Sequence, residues 1–183
     1  MALAPTLYDV QLELRDTDRG LECDQRLKVA RHPSETMERL WLRLLAYCWR
    51  YDERLAFTTG LSDPDAPDLR SDDLTGRTTQ WIRVGKADPV KVRRAVTQNP
   101  GAQVAVFFEN QARMDAFLRE AREQKVTHLE KVKLTTVDAS VLRALAANEE
   151  RRIKLCATLA GDHFYLEVDG EALDTPLVFA SAP

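Results

Sequence analysis

This chain of 183 residues holds only three cysteines, three histidines and seven glycines. Each shortage closes off a class of function. Cys23, Cys48 and Cys156 are odd in number and far apart, and no pair has the close spacing of a zinc ligand set. A reducing compartment is their simplest setting. His32, His128 and His163 stand singly, and no Ser/His/Asp or Cys/His arrangement is recognisable. There is no Walker-type phosphate loop and no dinucleotide-binding glycine pattern. No apolar run is long enough to span a bilayer. The opening residues 1–8 lack a basic region followed by an apolar stretch. These absences predict a cytoplasmic protein with no membrane partner. Positive charge is not in excess either, since the formal net charge is -3. Global electrostatics therefore gives no pull toward nucleic acid and leaves only a local basic patch open.

What is present is an ordinary globular balance of 44% hydrophobic and 30% charged residues, which predicts a single domain over 1–183. Residues 7–14 alternate polar and apolar and predict a half-buried strand. Turn-forming residues follow at 16–20, and a second strand over 21–30 completes an N-terminal hairpin. Ser34 is the expected N-cap of a helix over 35–50, whose stripe is Met37, Leu40, Trp41, Leu44, Leu45 and Cys48. A short extended piece is expected over 55–59. Residues 61–76, with Pro64, Pro67 and five aspartates, read as a long loop of the kind that often carries function. A buried strand is expected over 80–84. Asp88 and Pro89 have the cap-then-proline order that starts a helix ending near Gln98. Further strands are expected over 103–108, 132–135, 152–159 and 164–168, with a weak one over 177–180. Helices are expected over 111–124 and after Asp138. The order favours an α/β (α+β) fold with a central mixed sheet flanked by helices.

The signals that could carry chemistry are few. Glu35 and Glu38 are three apart near a helix start, where they share a face and also suit the helix dipole. Pro67-Asp68 sits in the long loop. A carboxylate there could contribute to a cluster holding a hard cation, although turns use both residue types routinely. Residues 69–94 are locally basic, with Arg83, Lys86, Lys91, Arg93 and Arg94 as candidate phosphate contacts. Lys91, Arg93 and Arg94 equally suit the solvated side of a helix whose Val92, Ala95 and Val96 face the core.

A longer pattern overlies these signals. Ala30-Arg31-His32-Pro33-Ser34-Glu35-Thr36 is followed by Glu38-Arg39, Arg43-Leu44-Leu45-Ala46, Glu53-Arg54-Leu55, Phe57-Thr58 and Gly60-Leu61. Pro67-Asp68-Leu69, Trp81-Ile82, Val84-Gly85, Asp88 and Ala95 come next, and Met1-Ala2-Leu3 with Leu7-Tyr8 precede them all. Over residues 1 to about 110 the chain thereby resembles the YaeQ family. The resemblance implies a variant PD-(D/E)XK nuclease fold. It also implies an acidic site on Glu38 and Asp68, a third acid in the strand after Trp81-Ile82, and a lysine displaced onto the following helix. Here the strand position is Arg83 and the helix position is Arg94, with Lys91 one turn earlier. Arg83 puts a permanent cation where a metal ligand is expected, and Arg94 cannot act as a proton donor or acceptor at ordinary pH.

Three readings follow. The first is a nuclease-like domain with weak or no cleavage that binds a phosphate-bearing or acidic partner. The second is a magnesium- or manganese-dependent nuclease with Glu38, Asp68 and Glu35 as ligands and Lys91 near the scissile phosphate. The third is a protein–protein adaptor that uses the fold as scaffold. The first reading carries a specific expectation: an ion pair between Arg83 and Asp68 or Glu38, standing where a metal would sit.

Overall fold

The computed structural model describes residues 4–58 and 65–182. Met1-Ala2-Leu3, Gly60-Leu61, Pro64 and the first part of the expected loop over 61–76 lie outside the described residues. The fold is mixed α+β, with two mixed sheets and four helices among the described residues. The chain divides into two compact units, Met1–Trp41 with Asp138–Leu177, and Leu42–Val137 with Val178–Pro183.

The first unit is built on a five-stranded sheet in the order β10-β9-β8-β1-β2. Its strands are β1 (Thr6–Asp16), β2 (Leu21–Arg31), β8 (Arg152–Ala160), β9 (His163–Val168) and β10 (Glu171–Pro176). β1 and β2 form the expected hairpin, and β1 runs parallel to β8. Strict alternation sends Tyr8, Val10, Leu12 and Leu14 inward, each at most 3% exposed. Burying each such side chain favours folding by about 1.5–3 kcal/mol. The opposite face of β1 carries Asp9, Gln11, Glu13 and Arg15. Helix α4 (Ala139–Ala146) has Asp138 as its N-cap and buries Leu142 and Leu145. β10 has no counterpart in the sequence reading. It buries Thr175, half-buries Leu173, and ends at Pro176 on the sheet edge, where a missing N–H costs nothing.

The second unit carries a six-stranded sheet in the order β11-β7-β6-β5-β4-β3. Its strands are β3 (Ala56–Phe57), β4 (Leu69–Asp72), β5 (Thr78–Val84), β6 (Gln103–Phe108), β7 (Lys133–Thr136) and β11 (Val178–Ala180). β5, β6 and β7 are parallel neighbours, so the strand expected over 80–84 is interior to the sheet. β4 corrects the expectation of a continuous loop over 61–76: Leu69 and Ser71 alternate inward and pair with Ile82 and Gln80. Alternation places Phe107 and Phe108 on opposite faces. Phe108 meets Phe117 of α3 (Gln111–Glu123) at 5.4 Å, and Phe107 meets Trp49 of α1 (Met37–Arg50) at 5.5 Å. Both faces of β5 are consequently buried. Trp81 joins Val92, Ala95, Val104 and Val106 in a core under α3 and α2 (Pro89–Gln98).

Two local details differ from expectation. α1 begins at Met37 rather than at residue 35, and its cap is Thr36, not Ser34. The Thr36 hydroxyl accepts from the Arg39 N–H at 3.2 Å, whereas Ser34 is turned to His32 at 2.7 Å. α2 starts as expected, with Asp88 accepting from the N–H groups of Val90 and Lys91 and with Pro89 in the first turn.

Candidate functional site

The residues that come together lie at the carboxyl end of β5 in the second unit. Asp68 immediately precedes β4 and is held by its backbone and its carboxylate. Its N–H donates to the Ile82 carbonyl at 2.8 Å, and its carbonyl accepts from Thr58 at 3.0 Å. Its carboxylate Oδ2 accepts the Val84 N–H at 2.8 Å. Only 5% of the side chain is exposed, so the charge is compensated inside the protein. A cation beside it is Arg83, whose Nε stands 3.8 Å from the same Oδ2. Arg83 also donates from Nη1 to the Ala66 carbonyl at 2.7 Å, and its side chain is 20% exposed. The expected Arg83 ion pair is therefore present, with Asp68 as the partner.

Beyond β5 the chain turns at Gly85 (φ 77), a left-handed conformation that costs glycine little, while its N–H bonds to the Phe107 carbonyl. That turn leads to Lys86, to the Asp88 cap and into α2. Lys91 and Arg94, one turn apart on α2, converge on Asp65. Lys91 Nζ is 2.7 Å from Asp65 Oδ1, and Arg94 Nη1 is 3.5 Å from Oδ2. The Lys91 hydrogen bond holds the Asp65 carboxyl below the ordinary carboxylate range. Slight desolvation opposes this, and the charges of Lys91, Arg94 and Arg83 add to it. Asp65 was not singled out in the sequence, where it is one of several aspartates in a proline-containing stretch. The available signal was the three-residue spacing of Lys91 and Arg94, which implies a shared anionic partner. Lys86, Arg93 and Arg94 are exposed and Lys91 is half-buried.

Glu35 and Glu38 belong to the first unit. Glu38 is exposed in the first turn of α1. The Glu35 side chain is fully buried, with Arg39 Nη1 at 3.0 Å from its Oε1. Magnesium or manganese does not fit the donors at Asp68. One carboxylate oxygen is committed to a backbone N–H and a guanidinium, and the neighbouring carboxylate Asp65 is held by a lysine and an arginine. Among the described residues no group of three or more His, Cys, Asp or Glu side chains could hold a metal ion.

Comparison with known proteins gives a consistent result. The family model described as YaeQ protein matches residues 1–177. The chain is 35% identical over 185 residues to an uncharacterised protein YaeQ of Escherichia coli (strain K12), covering 100% of this chain and 99% of the relative. It is 36% identical over 168 residues to its counterpart in Salmonella typhi, covering 91% and 90%. The crystal structure of the YaeQ protein from Xanthomonas axonopodis pv. citri superposes with a TM-score of 0.86 at 28% identity, covering 98% of this chain and 99% of that one. The corresponding values for the Pseudomonas syringae YaeQ structure are 0.84 and 29%, covering 98% and 97%. No helix among the described residues is long and apolar enough to cross a membrane.

Proposed function

Because this chain belongs to the YaeQ family, we propose that it is a PD-(D/E)XK-like domain that binds a phosphate-bearing partner and does not cleave it. The observation that carries this reading is the pair between Arg83 and Asp68. A nuclease of this type needs clustered carboxylates around a hard cation that activates water. Here a guanidinium stands 3.8 Å from the carboxylate instead. Arginine stays cationic at any ordinary pH, so it repels a divalent ion placed beside it.

The binding half of the proposal rests on the other cations of the same region. Lys91 and Arg94 already hold one anion, the Asp65 carboxylate. That carboxylate stands in for the phosphate group a partner would present, and an incoming phosphate competes with it for both cations. Exposed Lys86 and Arg93 extend the positive surface. Binding through such contacts releases counterions and weakens as salt rises.

The test uses a fluorescein-labelled single-stranded oligonucleotide in manganese buffer, followed by anisotropy and then on a denaturing gel. The reading expects salt-sensitive binding, a loss of about tenfold or more in a Lys91→Ala, Arg94→Ala double variant, and intact oligonucleotide on the gel. Manganese-dependent cleavage abolished by Asp68→Ala would overturn it, as would binding unchanged between low and high salt.

A further inference from the structure

β2 is the outermost strand of the first unit's sheet, and among the described residues it pairs with β1 alone. It is 11 residues long, and its exposed side carries Glu22, Asp24, Arg26 and Lys28 in alternation. An edge strand of this length is a template for another strand, and charges placed along it ordinarily discourage pairing. Here their order has the opposite consequence. The two acids precede the two bases symmetrically about Gln25. An antiparallel copy of the same strand, centred on Gln25, sets Glu22 against Lys28 and Asp24 against Arg26, and repeats both pairs across the two-fold axis. In that register Cys23 faces Leu27 and Leu21 faces Val29 on the other side of the sheet.

Neighbouring registers fail on charge. A shift by two residues in one direction puts Arg26 against Arg26, and in the other puts Asp24 against Asp24. A parallel in-register pairing opposes every like charge. Shifts by one residue turn the charged side toward the other face. Asp24 is the charge of this strand that lacks a cation. Within the hairpin it lies directly across from Glu13, which has Lys154 Nζ at 3.8 Å, while no ion pair of Asp24 is present among the described residues. Arg26 donates from Nε and Nη2 to Asp9 of its own chain, and its Nη1 remains to meet Asp24 of a second copy.

We infer that β2 is a self-association edge, on which a second copy of this chain docks antiparallel about Gln25 to join two five-stranded sheets into one. The inference is independent of the proposed function, because it uses no residue of the Asp68 region.

Sedimentation velocity from about 1 µM to about 500 µM tests it, with two charge-reversed variants. Glu22→Lys with Asp24→Lys makes the edge wholly basic, and Arg26→Glu with Lys28→Glu makes it wholly acidic. The wild type is expected to form dimers as concentration rises. Each variant alone is expected to associate about a hundredfold more weakly or worse. An equimolar mixture of the two is expected to dimerise again. A wild type that stays monomeric over the whole range overturns the inference. So does a basic-edge variant that dimerises like the wild type. Failure of the mixture to recover, with both variants keeping the wild-type circular dichroism spectrum, overturns the pairing scheme as well. If a variant loses that spectrum, the wild-type concentration series and the other variant decide the matter.

Discussion

Replacing Arg83 by glutamate inverts the charge that faces Asp68. Opposite charges about 4 Å apart attract by about 4 kcal/mol at an effective dielectric of about 20. The Arg83 side chain is 20% exposed, and Asp68 Oδ2 also accepts the Val84 N–H. Solvent screening therefore reduces the effect, and losing the attraction while gaining a partly screened repulsion costs about 2 kcal/mol. Loss of the hydrogen bond to the Ala66 carbonyl adds about 1 kcal/mol. The total of about 3 kcal/mol corresponds to a fall in melting temperature of about 6–12 °C for a chain of this size. Arg83→Met separates the lost attraction from the added repulsion, because it removes the cation and the Ala66 hydrogen bond without adding an anion, and it is expected to cost about 2 kcal/mol. Manganese provides the second readout. Two facing carboxylates attract a divalent ion, and at about 100 times its dissociation constant that ion returns about 2.7 kcal/mol. The assay is thermal unfolding by circular dichroism of the wild type, R83M and R83E, each with and without manganese. If R83E melts within about 2 °C of R83M, the two carboxylates do not sense each other. If manganese raises the melting temperature of R83E no more than that of the wild type, the arginine is not what keeps manganese from Asp68.

Other consequences are open to direct measurement. Asp65→Asn frees Lys91 and Arg94 from their internal anion, so oligonucleotide affinity should rise about threefold to tenfold at low salt, and an unchanged or lower affinity counts against the competition between Asp65 and phosphate. The Asp65 carboxyl should titrate below its ordinary value of 3.8 in an NMR experiment. A folded-state pKa lowered in this way contributes stability that is present above 3.8 and is lost as the pH falls through the folded value, and a midpoint at or above 3.8 would show that the Lys91 contact does not persist in solution. Asp88→Ala removes the acceptor for the Val90 and Lys91 N–H groups and should cost about 1 kcal/mol in urea unfolding. A cost near zero would mean that the start of α2 is capped in another way.

How much could be read from the chain depends on how strongly each segment's pattern is tied to its physics. α1, α2, β1 and β6 were legible, because an apolar stripe, a cap followed by proline, strict alternation and a continuous apolar run each have one structural solution. β4 was not. Leu69-Arg70-Ser71-Asp72 offers only two inward positions, one of them a serine, and lies among aspartates that read as turn chemistry. β10 was missed for a related reason, since an edge strand that buries one threonine and ends in proline has almost no hydrophobic signal. The N-cap moved from Ser34 to Thr36 because two hydroxyl residues two positions apart are equivalent in sequence and His32 captures the first. That Arg83 needs an acidic partner followed from the cost of burying a lone charge, and the family resemblance named Asp68 and Glu38 as the candidates, of which the structure shows Asp68. The role of Asp65 did not, because one aspartate among several in a loop is singled out only when α2 brings Lys91 and Arg94 to it. Trp81 and Arg83 lie on one face of β5 by alternation, and Trp81 is in the core because both faces of an interior strand are covered and only its end reaches the surface.

The most direct test of the account is a calorimetric titration of the wild-type protein with manganese. If Arg83 occupies the place of the metal, the titration should show no stoichiometric heat up to millimolar manganese, and the Asp68→Ala variant should give the same trace. Stoichiometric binding by the wild type that Asp68→Ala abolishes would contradict it, because Asp68 would then be a working metal ligand despite the arginine beside it.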